Sequence, residues 1–333
     1  MATEIELKLR FDPQGIDVLI QALNTLADYQ GRASLRNHYY DTPAAELSAS
    51  GCALRIRQKG DLWEQTLKTR GKSMAGLQQR GEWNWPLTDD QMNPSRFAEP
   101  DVQQHWPAHV DPEQLMPLFG THFERSVWIW QHQENRIEVV IDQGQVTTEV
   151  VSGAAGNGQQ QPLCEIELEL QQGTPDSLWH LAEQLVETLP LWISDISKAE
   201  RGYSLAIAAT NWSPDWRKSE QQATLDALNT LLTCFKRTVE SVLWPRSDNA
   251  PVDSAVAAQA RHGLELLYKV EQQAAYLSNH PAPLPQQSVG ILKHWLNDCQ
   301  SNNVSSATIT DTGNNNPAFA LLTLARWVWQ SHQ

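Results

Sequence analysis

The chain is 333 residues long and carries 25 Lys+Arg against 39 Asp+Glu, a net charge of −14. That balance excludes non-specific binding to nucleic acid or to an anionic membrane surface, both of which need clustered positive charge. Cys52, Cys164, Cys234 and Cys299 are dispersed without zinc-type spacing, so neither a disulfide framework nor a structural metal is indicated. No basic start followed by an apolar stretch opens the chain, and no run reaches the length of a membrane span, which gives the expectation of a soluble, cytosolic protein.

The charge is uneven. Residues 1–205 hold 16 Lys+Arg and 29 Asp+Glu, whereas 206–333 hold 9 and 10, so the acidic surplus belongs to the first part. Between Arg55 and Arg80, however, seven basic residues stand against two acidic ones. One basic segment in an acidic protein suits a small, highly charged anion bound locally.

In chain order, alternation predicts strands at about 4–10, 35–41, 53–58, 62–70, 77–86, 124–130, 136–142, 145–151 and 163–170. One helix is predicted behind Asp12-Pro13, where Ile16, Leu19, Ile20, Leu23 and Leu26 recur at helical spacing, and a second from Thr174 to Pro190. The stretches 88–117 and "SGAAGNGQQQP" read as connections. From Leu225 the pattern is helical up to Pro245, and again over about 253–278, 287–300 and 317–331. "SNNVSSATITDTGNNNP", between the last two, is low in complexity and is expected to be mobile. The chain divides near a 206–218 linker into a mostly β part, 1–205, and a helical part, 219–333.

Residues two apart on a strand share a face. One set of faces collects Glu4, Glu6, Lys8 and Arg10; Arg55 and Arg57; Glu64, Thr66 and Lys68; Arg80 and Glu82; Arg136, Glu138 and Asp142; and Glu165, Glu167 and Glu169. The opposite faces carry Ile5, Leu7, Leu9, Leu54, Ile56, Ile137, Val139, Ile141, Ile166 and Leu168. For any one strand, a half-buried sheet with its charges in water explains the alternation. Like charges in succession repel unless opposite charges stand across from them, so the set as a whole points to a concave, filled polar face. A barrel with a polar lumen and helices over its apolar outside meets that condition, and its Lys, Arg, Glu and Asp suit a polyphosphate held together with a divalent cation. The 14 Trp residues, Trp83, Trp85, Trp128 and Trp130 among them, read as core beneath covering helices.

"EIELKL" resembles the Glu-x-Glu-x-Lys signature of the CYTH, or triphosphate tunnel metalloenzyme, superfamily. "HYYDTP", "LRIRQKG", "QTLKTRG", "LQQRGEWNW", "VVIDQGQV", "CEIELEL" and "ISKAERGYSLA" match the family in the same order, across nearly all of 1–205. The resemblance is nearest to bacterial inorganic triphosphatases in which a CYTH domain precedes a helical CHAD domain. It implies an α+β architecture: an eight-stranded antiparallel β tunnel with covering helices, followed here by a helical, partly CHAD-like domain. It further implies hydrolysis of inorganic triphosphate to pyrophosphate and phosphate with Mg²⁺ or Mn²⁺. By motif, Lys8, Arg55, Arg57, Lys68, Arg80, Arg125, Lys198 and Arg201 would hold the triphosphate. Glu4, Glu6, Asp142, Glu165 and Glu167 would hold the cation, with Glu169 a weaker candidate, and Tyr39 would assist catalysis beside Lys8.

Bland alternatives stand beside these roles. Arg125 could be a salt-bridging barrel residue and Arg201 a brace for a helix; Glu64 and Glu138 read as internal counter-ions, and Arg70 and Lys72 as residues of a mobile loop. His38 and His122 read as packing residues. The same tunnel serves class IV adenylate cyclase and thiamine triphosphatase activities in this superfamily, and a non-catalytic polyphosphate- or nucleotide-binding module is the remaining alternative. The helical half is short for a CHAD domain and poor in the basic residues and histidines of that family, which favours a packing, dimerising or regulatory appendage.

Overall fold

A computed structural model of the chain describes residues 2–69, 71–148, 158–207, 224–244, 252–276, 282–301 and 315–331. Arg70, the 208–218 part of the expected linker and most of the "SNNVSSATITDTGNNNP" segment lie outside the described residues.

The N-terminal part runs β1 (Ala2–Arg10), α1 (Ile16–Leu26), β2 (Asp28–Asp41), α2 (Glu46–Ala49), β3 (Cys52–Lys59), β4 (Leu62–Thr69), β5 (Lys72–Met74) and β6 (Leu77–Leu87). It continues through α3 (Pro100–Gln103), β7 (Met116–His132), β8 (Asn135–Thr147), β9 (Gln160–Gln172), α4 (Asp176–Val186), β10 (Trp192–Ile193) and α5 (Lys198–Ala206). Then come α6 (Leu225–Leu243), α7 (Val252–Tyr276), α8 (Gln286–Gln300) and α9 (Pro317–Gln330).

Among the described residues, β1-β9-β8-β7-β2-β3-β4-β6 are hydrogen-bonded in that order, and β1 also pairs with β6, so eight strands close into a barrel. Every pairing is antiparallel. Closure is why both faces of each strand are specialised: one looks into a lumen, the other at covering elements. The short strands β5 and β10 extend the sheet beside β6 and β1.

Two clusters cover much of the outside. Leu7, Leu9, Trp128, Ile137, Val139, Ile141, Ile166 and Leu168 form one core with α1, α4 and the helices α6 to α9. Leu54, Leu67, Trp83 and Trp85 pack under Leu47, Phe97, Val102 and Val110 of the α2 and 94–115 segments. The tryptophans expected as core are buried there, and Trp83 and Trp85 donate their indole N–H groups to Asp101 (3.0 Å) and Glu99 (3.2 Å), so their polar edges are satisfied.

Three of the expected helix starts follow side-chain caps, whereas α4, expected from a Thr174 cap, begins at Asp176 behind Pro175 with no side-chain cap. Asp12 accepts from the Gln14 N–H at a short 3-10 turn before α1, Thr224 caps α6 and Asn316 caps α9. The four helices after residue 224 lie within two residues of their expected bounds.

Elsewhere the structure differs from the expectations. The strands read as 136–142 and 145–151 run together as one strand, β8, as far as Thr147, and 149–151 lie outside the described residues. Gly144 is not a turn: a Cβ there would lie 2.1 Å from the His122 carbonyl oxygen, so glycine permits close pairing with β7. β2 begins well before 35 because the polar 28–34 segment is held by pairing to 124–129 rather than by an apolar face, and β7 begins well before 124 because 116–123 pairs with 35–41. The 88–117 stretch is not purely connection; it holds 3-10 turns, α3 and the start of β7. The helix expected to reach Pro190 ends at Val186. α5 is an additional helix, and Lys72 begins a strand rather than sitting in a loop. No helix among the described residues is long and apolar enough to cross a membrane.

Candidate active site

The lumen is a cavity of about 700 Å³. Of the expected site residues, Glu4, Glu6, Lys8, Tyr39, Arg55, Arg57, Lys68, Arg80, Arg125, Glu167 and Lys198 line it, as do Glu64, Glu138 and Glu169. Thirteen of these arrive by strand alternation. Lys198 comes from the first turn of α5, whose start is set by an N-cap: Ser197 accepts from the Glu200 N–H.

The charges fall into groups. At the start of β1, Glu4 accepts from Lys68 (3.0 Å) and Arg80 (2.9 Å), Glu6 accepts from Arg80 (2.6 Å), and Glu82 pairs with Lys68 at 2.8 Å. Burial works against ionisation of Glu4, but Lys68 and Arg80 outweigh it and hold its pKa well below the usual carboxylate range.

A second group lies where β8 and β9 meet α5. Lys198 Nζ is 2.6 Å from Asp142, 2.6 Å from Glu165 and 2.9 Å from Glu167. Arg125 forks onto Asp142 (2.7 and 2.6 Å) and reaches Glu167 at 2.9 Å, while Lys8 is 3.3 Å from Glu167. Burial opposes the charged forms of Asp142, Glu167, Lys8 and Lys198, yet the opposite charges around them win: the pKa values of Asp142 and Glu167 are lowered, and those of Lys8 and Lys198 are raised.

Arg55 and Arg57 are less well compensated. Arg57 Nε donates to Asn37 (2.7 Å), and burial, Arg55 and Arg125 together push its pKa down to about 9. Arg55 has Glu82 only at 3.9 Å, and its Nε is buried without a hydrogen-bond partner among the described residues. Two guanidinium groups so placed attract an anion. Glu169 is perturbed in the opposite sense: burial, then Glu4 and Glu138, raise its pKa to about 7.

Tyr39 stacks on Phe119 (centroids 4.8 Å apart), and Phe119 meets Tyr203 of α5 edge-on at 4.9 Å. Asp41, fully buried, accepts from Tyr203 (2.7 Å) and from the backbone N–H groups of Thr42, Leu47 and Ser48. The aspartate in "HYYDTP" therefore ties α5 to the strand that carries Tyr39.

Arg201 is not brought to the cavity wall. It is 3 % exposed and donates to Glu240 of α6 at 2.7 Å, with its Nε 3.9 Å from Glu165. Arg10, which continues the inward face of β1, likewise donates to Glu240 (2.9 Å) and lies over the Trp244 ring at 4.0 Å. Sequence reasoning did not single out Glu240, Thr233 or Arg237; the latter two line the cavity from α6. Their helical spacing was visible, but the surface that they meet comes from elsewhere in the chain.

The five expected cation ligands are separated into two sets. Asp142, Glu165 and Glu167 offer oxygens that all lie within 4.8 Å of one another, whereas Glu4 and Glu6 are held by Lys68 and Arg80. Glu165 Oε2 is buried with no hydrogen-bond partner among the described residues. Three hard oxygen donors and one orphaned carboxylate oxygen fit a divalent cation of the Mg²⁺ type.

An antiparallel tunnel with cations and carboxylates lining one lumen is the architecture of the triphosphate tunnel proteins, and the comparisons place the chain more narrowly. The CYTH domain family model matches residues 2–203, so the chain belongs to the CYTH family. The helices after residue 224 lie outside that match. An inorganic triphosphatase of Haemophilus influenzae is 33% identical over 255 residues, which is 73% of this chain and 69% of that protein. Similar solved structures include a putative adenylyl cyclase from Hippeastrum described as having a dominant triphosphatase activity (22% identity, TM-score 0.45, 60% of this chain and 95% of that one). Another is a putative adenylate cyclase from Bacillus halodurans (19% identity, TM-score 0.35, 56% and 91%).

Proposed function

We propose that this protein hydrolyses inorganic triphosphate to pyrophosphate and phosphate, in a reaction that depends on Mg²⁺ or Mn²⁺. The observation that carries the reading is the lumen itself: seven of the eight Lys and Arg residues assigned to the anion line one cavity that also presents carboxylates. An anion binder has little use for so many carboxylates, whereas a phosphoryl-transfer site uses them for a cation. The inorganic triphosphatase relative supports the same substrate.

Arg55 and Arg57, least compensated by acids, receive the phosphate chain first. Lys68, Arg80, Arg125 and Lys8 then neutralise charge on its oxygens as their carboxylate partners are shared. When bound at Asp142, Glu165 and Glu167, the cation supplies further neutralisation of the phosphoryl oxygens. A water oxygen bonds to a terminal phosphorus and the bond to the bridging oxygen breaks, the electron pair leaving with pyrophosphate. Glu4 or Glu6, freed in part as Lys68 and Arg80 turn to the phosphate oxygens, takes the water proton, Lys8 stays protonated and orients the chain, and Tyr39 assists beside it.

Phosphate release from triphosphate, ATP and thiamine triphosphate, measured with Mg²⁺ or Mn²⁺, tests this directly. Triphosphate should be preferred, and Glu167→Gln should lower kcat by about 100-fold or more, the scale of losing one preorganised electrostatic group. No cation-dependent turnover of any of the three would sink the enzyme reading. Cyclic AMP formed from ATP in preference to phosphate would favour the cyclase instead.

A further inference from the structure

Helix α6 directs Thr233, Lys236, Arg237 and Glu240 from one face, at three- and four-residue spacing, toward the tunnel rather than water. Lys236 is 1 % exposed and bonds Asp195 at 2.7 Å. Arg237 forks onto Glu200 of α5, one of its two contacts being 3.1 Å. Glu240 is the most connected: Arg10 (2.9 Å), Arg201 (2.7 Å) and Ser194 (2.9 Å) all donate to its carboxylate.

Arg201 stands between that carboxylate and the cation-fitting group. Its Nε is 3.9 Å from Glu165 Oε2, the oxygen without a hydrogen-bond partner among the described residues, while Glu165 Oε1 accepts from Lys198. A buried guanidinium that loses its anion closes on the next carboxylate within reach, since a charge-assisted bond of about 2.7–2.9 Å is far better than an approach of nearly 4 Å.

We propose that Glu240 is a positioning residue for the tunnel: by holding Arg201 against α6 it keeps Glu165 Oε2 open to a divalent cation. The inference rests on the triphosphatase reading only for the purpose of that cation, and it makes the helical part of the chain a working wall of the site. It acts entirely through Arg201, which gives it a signature that a merely structural glutamate would lack.

The test is Mn²⁺ binding to the full chain, followed by the electron paramagnetic resonance of free Mn²⁺, with the melting temperature recorded in parallel. Glu240→Gln should weaken Mn²⁺ binding about tenfold or more. Adding Arg201→Met, which removes the group that closes on Glu165, should return the Kd to within about threefold of the unaltered chain. If Glu240→Gln does not fold, Glu240→Asp keeps the charge but shortens its reach, and should weaken binding about threefold. A folded Glu240→Gln, or in its place Glu240→Asp, that binds Mn²⁺ as the unaltered chain does would overturn the proposal, as would a double variant no better than Glu240→Gln. An unaltered chain that binds Mn²⁺ but releases no phosphate from triphosphate would overturn the proposed function alone, because the Mn²⁺ series still reads the positioning role. An unaltered chain that binds no Mn²⁺ would overturn this inference.

Discussion

Lys198 is a single ammonium, 6 % exposed, within 2.9 Å of three carboxylates. Three anions so close cannot all stay charged unless cations sit among them, and in this structure Lys198 fills that role together with Arg125 and Lys8. Replacing it with methionine leaves buried charge uncompensated, at a cost of about 3–5 kcal/mol. A divalent cation that binds Asp142, Glu165 and Glu167 would restore the balance. Lys198→Met should therefore melt at lower temperature than the unaltered chain in chelator, and Mg²⁺ should raise its melting temperature by more than it raises that of the unaltered chain. An equal or smaller rise would mean that the cation does not bind where the lysine sits. The alternation of Glu4, Glu6 and Lys8 was enough to place these residues on one face, because period two is a local property of the strand, and it took the charged faces of the other strands to make that face a lumen. The direction of Arg10 and Arg201 was not legible: both turn on Glu240, which lies 230 and 39 positions away.

Among the elements, α5 shows how a short helix is fixed on a barrel. Its Ser197 cap, its Tyr203 bond to Asp41 and the close approach of Gly202 to Phe119 all act within nine residues. A Cβ at Gly202 would lie 1.9 Å from the ring of Phe119, which is fully buried and stacked on Tyr39, so the ring has little room to retreat. Gly202→Ala should cost about 1–3 kcal/mol. Because Tyr39, stacked on that ring, lines the cavity, it should also raise the KM for triphosphate; thermal melts and steady-state kinetics on one preparation check both. A melt unchanged from the parent would show that α5 docks elsewhere. The sequence motif "SKAERGY" marked this segment for its residues and not as a helix, since nine residues show too few turns for periodicity to speak. β8 failed for the opposite reason: a glycine that serves close pairing looks the same in sequence as one that serves a turn.

For the whole molecule, the question is whether tunnel and helices are separable. They share one hydrophobic core, in which Leu7, Ile166 and Trp192 belong to the same cluster as Leu231, Phe235, Leu292 and Leu321. They also share buried ion pairs, Lys236 with Asp195 and Arg201 with Glu240. Glu4, Asp142 and Glu167 in the tunnel and Glu240 in α6 all have pKa values lowered by cationic partners that outweigh burial. A carboxylate whose folded pKa is depressed binds fewer protons folded than unfolded. Its stabilisation is complete above the ordinary values of 3.8 and 4.5, and it is lost as pH falls below them. Acid thus removes support from both parts of the molecule over the same pH window, and a common core leaves neither part a surface on which to stand alone. An acid titration of the cation-free protein should show stability falling below about pH 4.5. Loss of the β signal and loss of the helical signal in circular dichroism should coincide in a single transition. Helices that melt at a higher or lower pH than the strands would show that the core, though continuous in space, does not unfold as one unit.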